Sequence, residues 1–143
     1  MTVTATPTTK RKRVAVAMSG GTDSSVAAAL LVDQGLEVIG LTAHMRKEGS
    51  RCCSVEDVDH ARKVASFLGI DHHVLDASEV FRREVVDPFV AEYARGRTPS
   101  PCVICNQMVK FGFLLTRGVQ FDCVGLATGH YARVEQKDGC YRL

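Results

Sequence analysis

Apolar and polar positions fall into alternating blocks along this 143-residue chain. Val14 to Met18 is a short apolar run of strand length, and it opens into the glycine-containing stretch Ser19-Gly20-Gly21. Ser24 to about Gln34, rich in alanine and leucine, predicts a helix, with Gly35 where a left-handed cap is needed. Glu37 to Thr42 predicts the second strand, followed by a loop from Ala43 to Cys53. Ser54-Val55-Glu56-Asp57 starts a helix as a capping-box-like sequence, and the helix runs to Leu68 and closes at Gly69. His72 to Leu75 predicts a third strand. Residues 78–95 read as helical with a break at Asp87-Pro88, because a residue before proline is pushed out of the helical region. The prolines of Gly96 to Pro101 exclude regular structure there. A helix from about Cys102 to Arg117, a strand from Asp122 to Ala127 and a hairpin turning at Lys137-Asp138-Gly139 complete the set.

Strands alternating with helices at this spacing predict an α/β fold: a doubly wound parallel sheet with helices on both faces, joined by right-handed crossovers. Ligands of such sheets bind beyond the carboxyl ends of the strands. That rule gathers Ser19 to Ser25, the loop after Ala43 and Thr128-Gly129-His130 at one rim.

Composition narrows this picture without redirecting it. Hydrophobic residues make up 45% and charged residues 24%, as in ordinary globular chains, which argues against extended disorder. The net charge of +2 rests on Lys10, Arg11, Lys12 and Arg13 and turns negative without them, so bulk charge says nothing about RNA. Residues 1–12 are expected to be a flexible basic leader to a nucleotide-binding domain over 13–143. They lack the apolar core of a signal peptide, and no apolar run reaches a membrane span, so the cytoplasm is the expected location. Six cysteines in such a chain argue for reactive or metal-binding thiols over a disulfide framework.

Two motifs carry candidate chemistry. In Met18-Ser19-Gly20-Gly21-Thr22-Asp23-Ser24-Ser25, adjacent glycines let backbone N–H groups turn inward, and the following helix adds the positive end of its dipole, an arrangement suited to phosphate. Ser19, Ser24 and Ser25 can donate hydrogen bonds to phosphate, and Asp23 is placed to hold a bridging magnesium ion. The motif lacks the Gly-Lys-Ser/Thr ending of a Walker A loop and the third glycine of a dinucleotide fingerprint. In Gly96-Arg97-Thr98-Pro99-Ser100-Pro101-Cys102-Val103-Ile104-Cys105-Asn106, two thiols three apart open a helix, where its dipole favours thiolate. Such a pair is a redox couple, half of a metal site, a nucleophile with its neighbour, or two buried cysteines, and spacing does not choose. His130 is either a satisfied polar residue or a phosphate contact, whereas His44, His72 and His73 show no ligand pattern.

The Ser19 to Ser25 loop resembles the PP-loop of the ATP pyrophosphatases. Together with Cys52 to Asp57, Gly96 to Asn106, Val109-Lys110-Phe111 and Ala127-Thr128-Gly129-His130-Tyr131-Ala132, it resembles, in the same order, the tRNA-specific 2-thiouridylase (MnmA) family. The resemblance implies an adenine nucleotide alpha hydrolase-like fold and a tRNA-uridine 2-sulfurtransferase. ATP would adenylate the C2 oxygen of the wobble uridine in tRNA, and a persulfide sulfur delivered by a donor protein would then displace AMP.

Residue by residue, the resemblance implies that Met18, Ser19, Gly20, Gly21, Asp23, Ser24 and Ser25 hold the phosphates of ATP and magnesium, with Ala43 and Gly129 at the nucleotide. Cys105 matches the nucleophile, Ser100, Pro101 and Cys102 match the segment that meets the target base, and Lys110 is expected at phosphate. Many members have Asp where Cys102 stands and Asn where Ser100 stands, and Thr22 replaces a usual valine. Members with the Cys-x-x-Cys version resemble thiolases carrying an iron–sulfur cluster of the 4Fe-4S type, which would make Cys102 and Cys105 metal ligands and require a third cysteine. Cys140 matches no motif of the family. Family members continue through a second cysteine, tRNA-binding and β-barrel domains, so the alternatives are an ATP- or cluster-binding module without complete thiolase activity, or another PP-loop adenylating enzyme.

Overall fold

A computed structural model describes residues 12–45, 55–132 and 134–142. The leader, the Cys52-Cys53 motif and the proposed cap at Ser54 lie outside the described residues, apart from Lys12 at the leader's end. β1 (Arg13–Ala17) leads into α1 (Thr22–Asp33), β2 (Glu37–His44), α2 (Val55–Leu68) and β3 (Asp71–Asp76). A helical run follows as α3 (Ser78–Phe81), a π-helical segment (Arg82–Val86) and α4 (Asp87–Ala94). A second run comprises α5 (Pro101–Ile104), a π-helical segment (Cys105–Phe113) and α6 (Leu114–Gln120). β4 (Leu126–Ala127) and the hairpin β5 (Glu135–Lys137) and β6 (Cys140–Arg142) end the order.

The first four strands form one sheet in the order β3-β2-β1-β4, with every neighbouring pair parallel. β1 is therefore central, and the chain winds outward from it in both directions, as the doubly wound reading requires. Period-two alternation divides the core between the two faces. Val16, Met18 and Val38 pack with Ala28 of α1 and Ala61 and Ala65 of α2. Ala15, Ile39, Leu41 and Ala43 pack on the other face with Val85, Val109 and Leu114 from the two later helical runs. At the amino edge, the Arg13 guanidinium pairs with Glu37 and donates from Nη1 to the Phe121 carbonyl at 3.1 Å, tying β1, β2 and the end of α6 together.

Both α1 and α2 end as their glycines predict. Gly35 N–H donates to the Val32 carbonyl and Leu36 N–H to that of Leu31, and Gly69 and Ile70 repeat the pattern with Ser66 and Ala65.

Two expectations are corrected. The helical run over Ser78–Ala94 does not break at Asp87-Pro88, since Val86 and Asp87 both keep right-handed helical angles. The preceding turn widens instead: Asp87 N–H reaches back to the Arg82 carbonyl, the five-residue spacing of a π turn, which lets the chain pass a proline that has no N–H to give. The fourth strand is not Asp122 to Ala127 but only Leu126–Ala127. Asp122 sits at φ +61°, incompatible with a strand, and Cys123 N–H is engaged by the Gly118 carbonyl as part of the turn leaving α6. The hairpin forms as expected, with Asp138 and Gly139 both at positive φ, as a two-residue type I′ turn needs.

Candidate active site

β1 ends at the centre of the sheet, so the loop after it emerges at the switch point where the strand order reverses. Ser19-Gly20-Gly21 makes the turn there, and Gly21 is the residue before the first turn of α1. Gly20 stands at φ +79°, and a Cβ on it would overlap the Asp57 carbonyl of α2, so both the angle and the close approach require glycine.

The loop's hydroxyls organise the loop itself. Ser24, 4% exposed, accepts from Ser19 N–H at 3.2 Å and donates to the Gly21 carbonyl at 3.1 Å, while its oxygen lies 3.3 Å from Ser19 Oγ. Ser25 donates to the same Gly21 carbonyl at 2.9 Å. A hydroxyl has one proton, so in this structure Ser24 and Ser25 direct theirs inward, and donation to a phosphate would require each to rotate.

Opposite the loop runs the segment after β4. A Cβ on Gly129 would lie 2.7 Å from Asp23 C and from Ser24 N, so the backbone of this segment rests directly on the first turn of α1. Two residues on, the Tyr131 hydroxyl donates to Asp23 Oδ1 at 2.9 Å, and that bond to a carboxylate raises the phenol above its ordinary pKa. Thr128 Oγ1 is 2.8 Å from His130 Nδ1, and the His130 ring tilts against Phe111 with centroids 5.5 Å apart.

Between these walls lies a cleft of about 260 Å³. Met18, Ser19, Asp23, Ser24, Ala43 and Gly129 line it, so most of the residues expected at ATP share one void. Lys110, Thr128 and His130 line it too, with Met45 and Leu114 as apolar walls. Gly20, Gly21 and Ser25 shape the loop without lining the cleft.

Ser100, Pro101, Cys102 and Cys105 are likewise not among the lining residues. Pro101 and Cys102 stand in α5, with Ser100 just before it; Cys102 is exposed, and Cys105 opens the π-helical segment, half-buried against the core. The same helical run carries Lys110 into the cleft and so joins the thiols to it. Among the described residues no group of three or more His, Cys, Asp or Glu is arranged to hold a metal ion. Cys140 is exposed on β6, and Cys123 is buried at the end of α6, where burial raises its thiol pKa.

Sequence reasoning did not find Tyr131's part. Its signal was its place two residues after Gly129, but only the fold brings it to Asp23, 108 positions away. His72 shows no ligand pattern in the sequence, yet it closes a chain beneath the loop. Thr42 Oγ1 donates to the Met18 carbonyl at 2.7 Å, so the His72 Nε2, 2.8 Å away, must supply the proton of the second bond. That leaves Nδ1 unprotonated and buried with no hydrogen-bond partner among the described residues, and burial lowers the pKa of His72.

Comparison with known proteins places the chain among relatives. The chain is 50% identical over 136 residues to the tRNA-specific 2-thiouridylase MnmA of Carboxydothermus hydrogenoformans, a match covering 90% of this chain and 37% of that protein. It is 52% identical over 128 residues to the protein of the same name from Rhodospirillum rubrum, covering 85% and 34% respectively. The chain thus spans little more than a third of the length of these relatives. Among solved structures, the glutamine-dependent NAD+ synthetase of Acinetobacter baumannii in complex with ADP superposes with a TM-score of 0.58 at 17% identity, over 80% of this chain and 21% of that one. NMN synthetase from Francisella tularensis gives 0.55 at 21%, over 80% and 44%. These two likenesses bear on the fold alone. Residues 12–143 match the family described as the tRNA methyl transferase HUP domain, and the chain belongs to that family.

Proposed function

We propose that this chain carries the ATP-dependent activation step of tRNA 2-thiolation, as the adenylating part of a tRNA-uridine 2-sulfurtransferase acting in the cytoplasm. The observation that carries the reading is the convergence of Ser19, Asp23, Ser24, Ala43 and Gly129 with Lys110 and His130 on one cleft, in a chain about 50% identical to 2-thiouridylases. The family description speaks of methyl transfer, but the two thiols of Cys102 and Cys105, on the helical run that feeds Lys110 into the cleft, favour sulfur chemistry.

In this reading the backbone N–H groups around Gly20 and Gly21 and the first turn of α1 take the triphosphate of ATP. Asp23 fits a magnesium ion, which is commonly held by one or two carboxylates together with substrate phosphates. When bound, that ion neutralises charge on the phosphates. The backbone at Ala43 receives the adenine, and Lys110 and His130 face the phosphates or the RNA across the cleft.

The C2 oxygen of the wobble uridine attacks the α-phosphate, forming an O–P bond while the α–β bridging bond breaks and pyrophosphate leaves. The outer sulfur of a persulfide then adds at C2 and the C–O bond to AMP breaks; a second thiol attacks the inner sulfur, the S–S bond breaks, and a thiocarbonyl remains on the base while the disulfide formed is reopened by a thiol reductant. Cys105 is the proposed nucleophile, with Ser100, Pro101 and Cys102 at the base, and a persulfide-carrying protein supplies the sulfur. Among the described residues no third ligand for an iron–sulfur cluster joins Cys102 and Cys105.

A second reading rests on the place of Cys102 and Cys105 outside the lining of the cleft: an ATP-binding module that does not complete thiolation. The two separate on incubation with magnesium, labelled ATP and unmodified tRNA under anaerobic conditions. The first predicts AMP and pyrophosphate in equal amounts only when tRNA is present; ATP bound without cleavage favours the second.

A further inference from the structure

We propose that Tyr131 is a latch on the phosphate loop, holding the Asp23 carboxylate in the nucleotide-free chain and releasing it when a magnesium-bound phosphate arrives. The proposal rests on the reading of the cleft as an ATP site. Three observations support it. The Tyr131 hydroxyl donates to Asp23 Oδ1 at 2.9 Å, although the tyrosine is 92% exposed. Gly129, two residues earlier, lies so close to Asp23 and Ser24 that the segment it belongs to cannot approach further. His130, between them, touches Phe111 of the helical run that also carries Cys105.

The chemistry of the latch is a competition for one carboxylate. A phenol hydroxyl and a divalent cation both seek the lone pairs of Asp23, and a phosphate-bound cation arriving there would take the carboxylate from the phenol. Release of Tyr131 frees the far end of the segment 128–131 while Gly129 stays seated, so the His130 and Phe111 rings can separate or turn. Filling the cleft is thereby communicated to the helix of Cys105, which orders the steps: nucleotide first, access to the thiol-bearing helix second.

The test uses the full chain with tyrosines labelled by carbon-13, of which there are only three, Tyr93, Tyr131 and Tyr141. Without any ligand, Asp23→Asn should move the Tyr131 resonance and leave the other two in place, and Tyr131→Phe should quicken amide exchange over 128–132. With magnesium and inorganic pyrophosphate as the probe, Tyr131→Phe should bind about two- to five-fold more tightly, the range expected for losing one exposed hydrogen bond to a carboxylate. A Tyr131 resonance indifferent to Asp23→Asn, or a Tyr131→Phe chain that binds the probe equally or more weakly, would overturn the latch. A wild-type chain that takes up no probe contradicts the ATP reading instead, and the ligand-free measurements still decide the latch.

Discussion

Two single residues show how closely the loop is specified. Gly20 combines a left-handed angle with contact against the Asp57 carbonyl, so Gly20→Ala should cost about 1–3 kcal/mol in urea unfolding and should also weaken nucleotide binding, because the loop must shift to admit the methyl group. His72 lies beneath it with a buried, unprotonated Nδ1. Burial lowers its folded pKa below the unfolded value, with the charges of Arg62 and His73 adding to the effect. The unfolded chain therefore takes up the proton first, and the contribution of His72 is full above about pH 6.5 and lost as pH falls toward the folded pKa. His72→Gln keeps a donor for Thr42 and should flatten this part of the stability profile, measured by thermal unfolding between neutral and mildly acidic pH; an unchanged slope would assign it to other groups. Gly20 was legible in the sequence because adjacent glycines after an apolar strand have few other uses. The His72 chain was not, since Thr42 and His72 meet only when β2 and β3 pair in register.

The strands and helices were readable wherever period and punctuation agreed. β1, β2, α1 and α2 carry apolar runs bounded by glycine, and each forms close to its expected limits. Expectation and structure part where a single local signal meets a competing tertiary one. Pro88 reads as a break, but tertiary packing of Val85 and Phe81 keeps the run helical, and the chain absorbs the proline in a π turn. Asp122 to Ala127 reads as one strand, yet the strand is Leu126–Ala127, because the turn leaving α6 claims Asp122 and Cys123; Val124 and Gly125 reach β1 only through single backbone bonds to Arg13 and Ala15. Leu41 on β2 is fully buried against helices of both later runs, and Leu41→Ala should cost about 2–5 kcal/mol by chemical denaturation, without altering the Asp23–Tyr131 bond. A loss below about 1 kcal/mol would mean that this face of the sheet repacks freely.

At the scale of the whole molecule, the sheet order gathers the site. Asp23 and Tyr131 are 108 positions apart, and Ala43 and Lys110 come from a strand and a helix on different passes of the chain, yet all border the carboxyl ends of β1, β2 and β4. The α/β pattern made that rim legible before any side chain was placed, because ligands of doubly wound sheets bind where strand order reverses. Cys102 and Cys105 were legible as a pair opening a helix, and the structure sets that turn outside the lining of the cleft. In the proposed function this rim binds ATP through Asp23 and magnesium. Calorimetric titration of the chain with an ATP analogue that cannot be cleaved between its α- and β-phosphates, with and without magnesium, tests it most directly. One site per chain is expected, dependent on magnesium and weakened about ten-fold or more by Asp23→Asn, because a charged ligand to the cation is lost. Binding that ignores both magnesium and Asp23→Asn, or no binding at all, would contradict it.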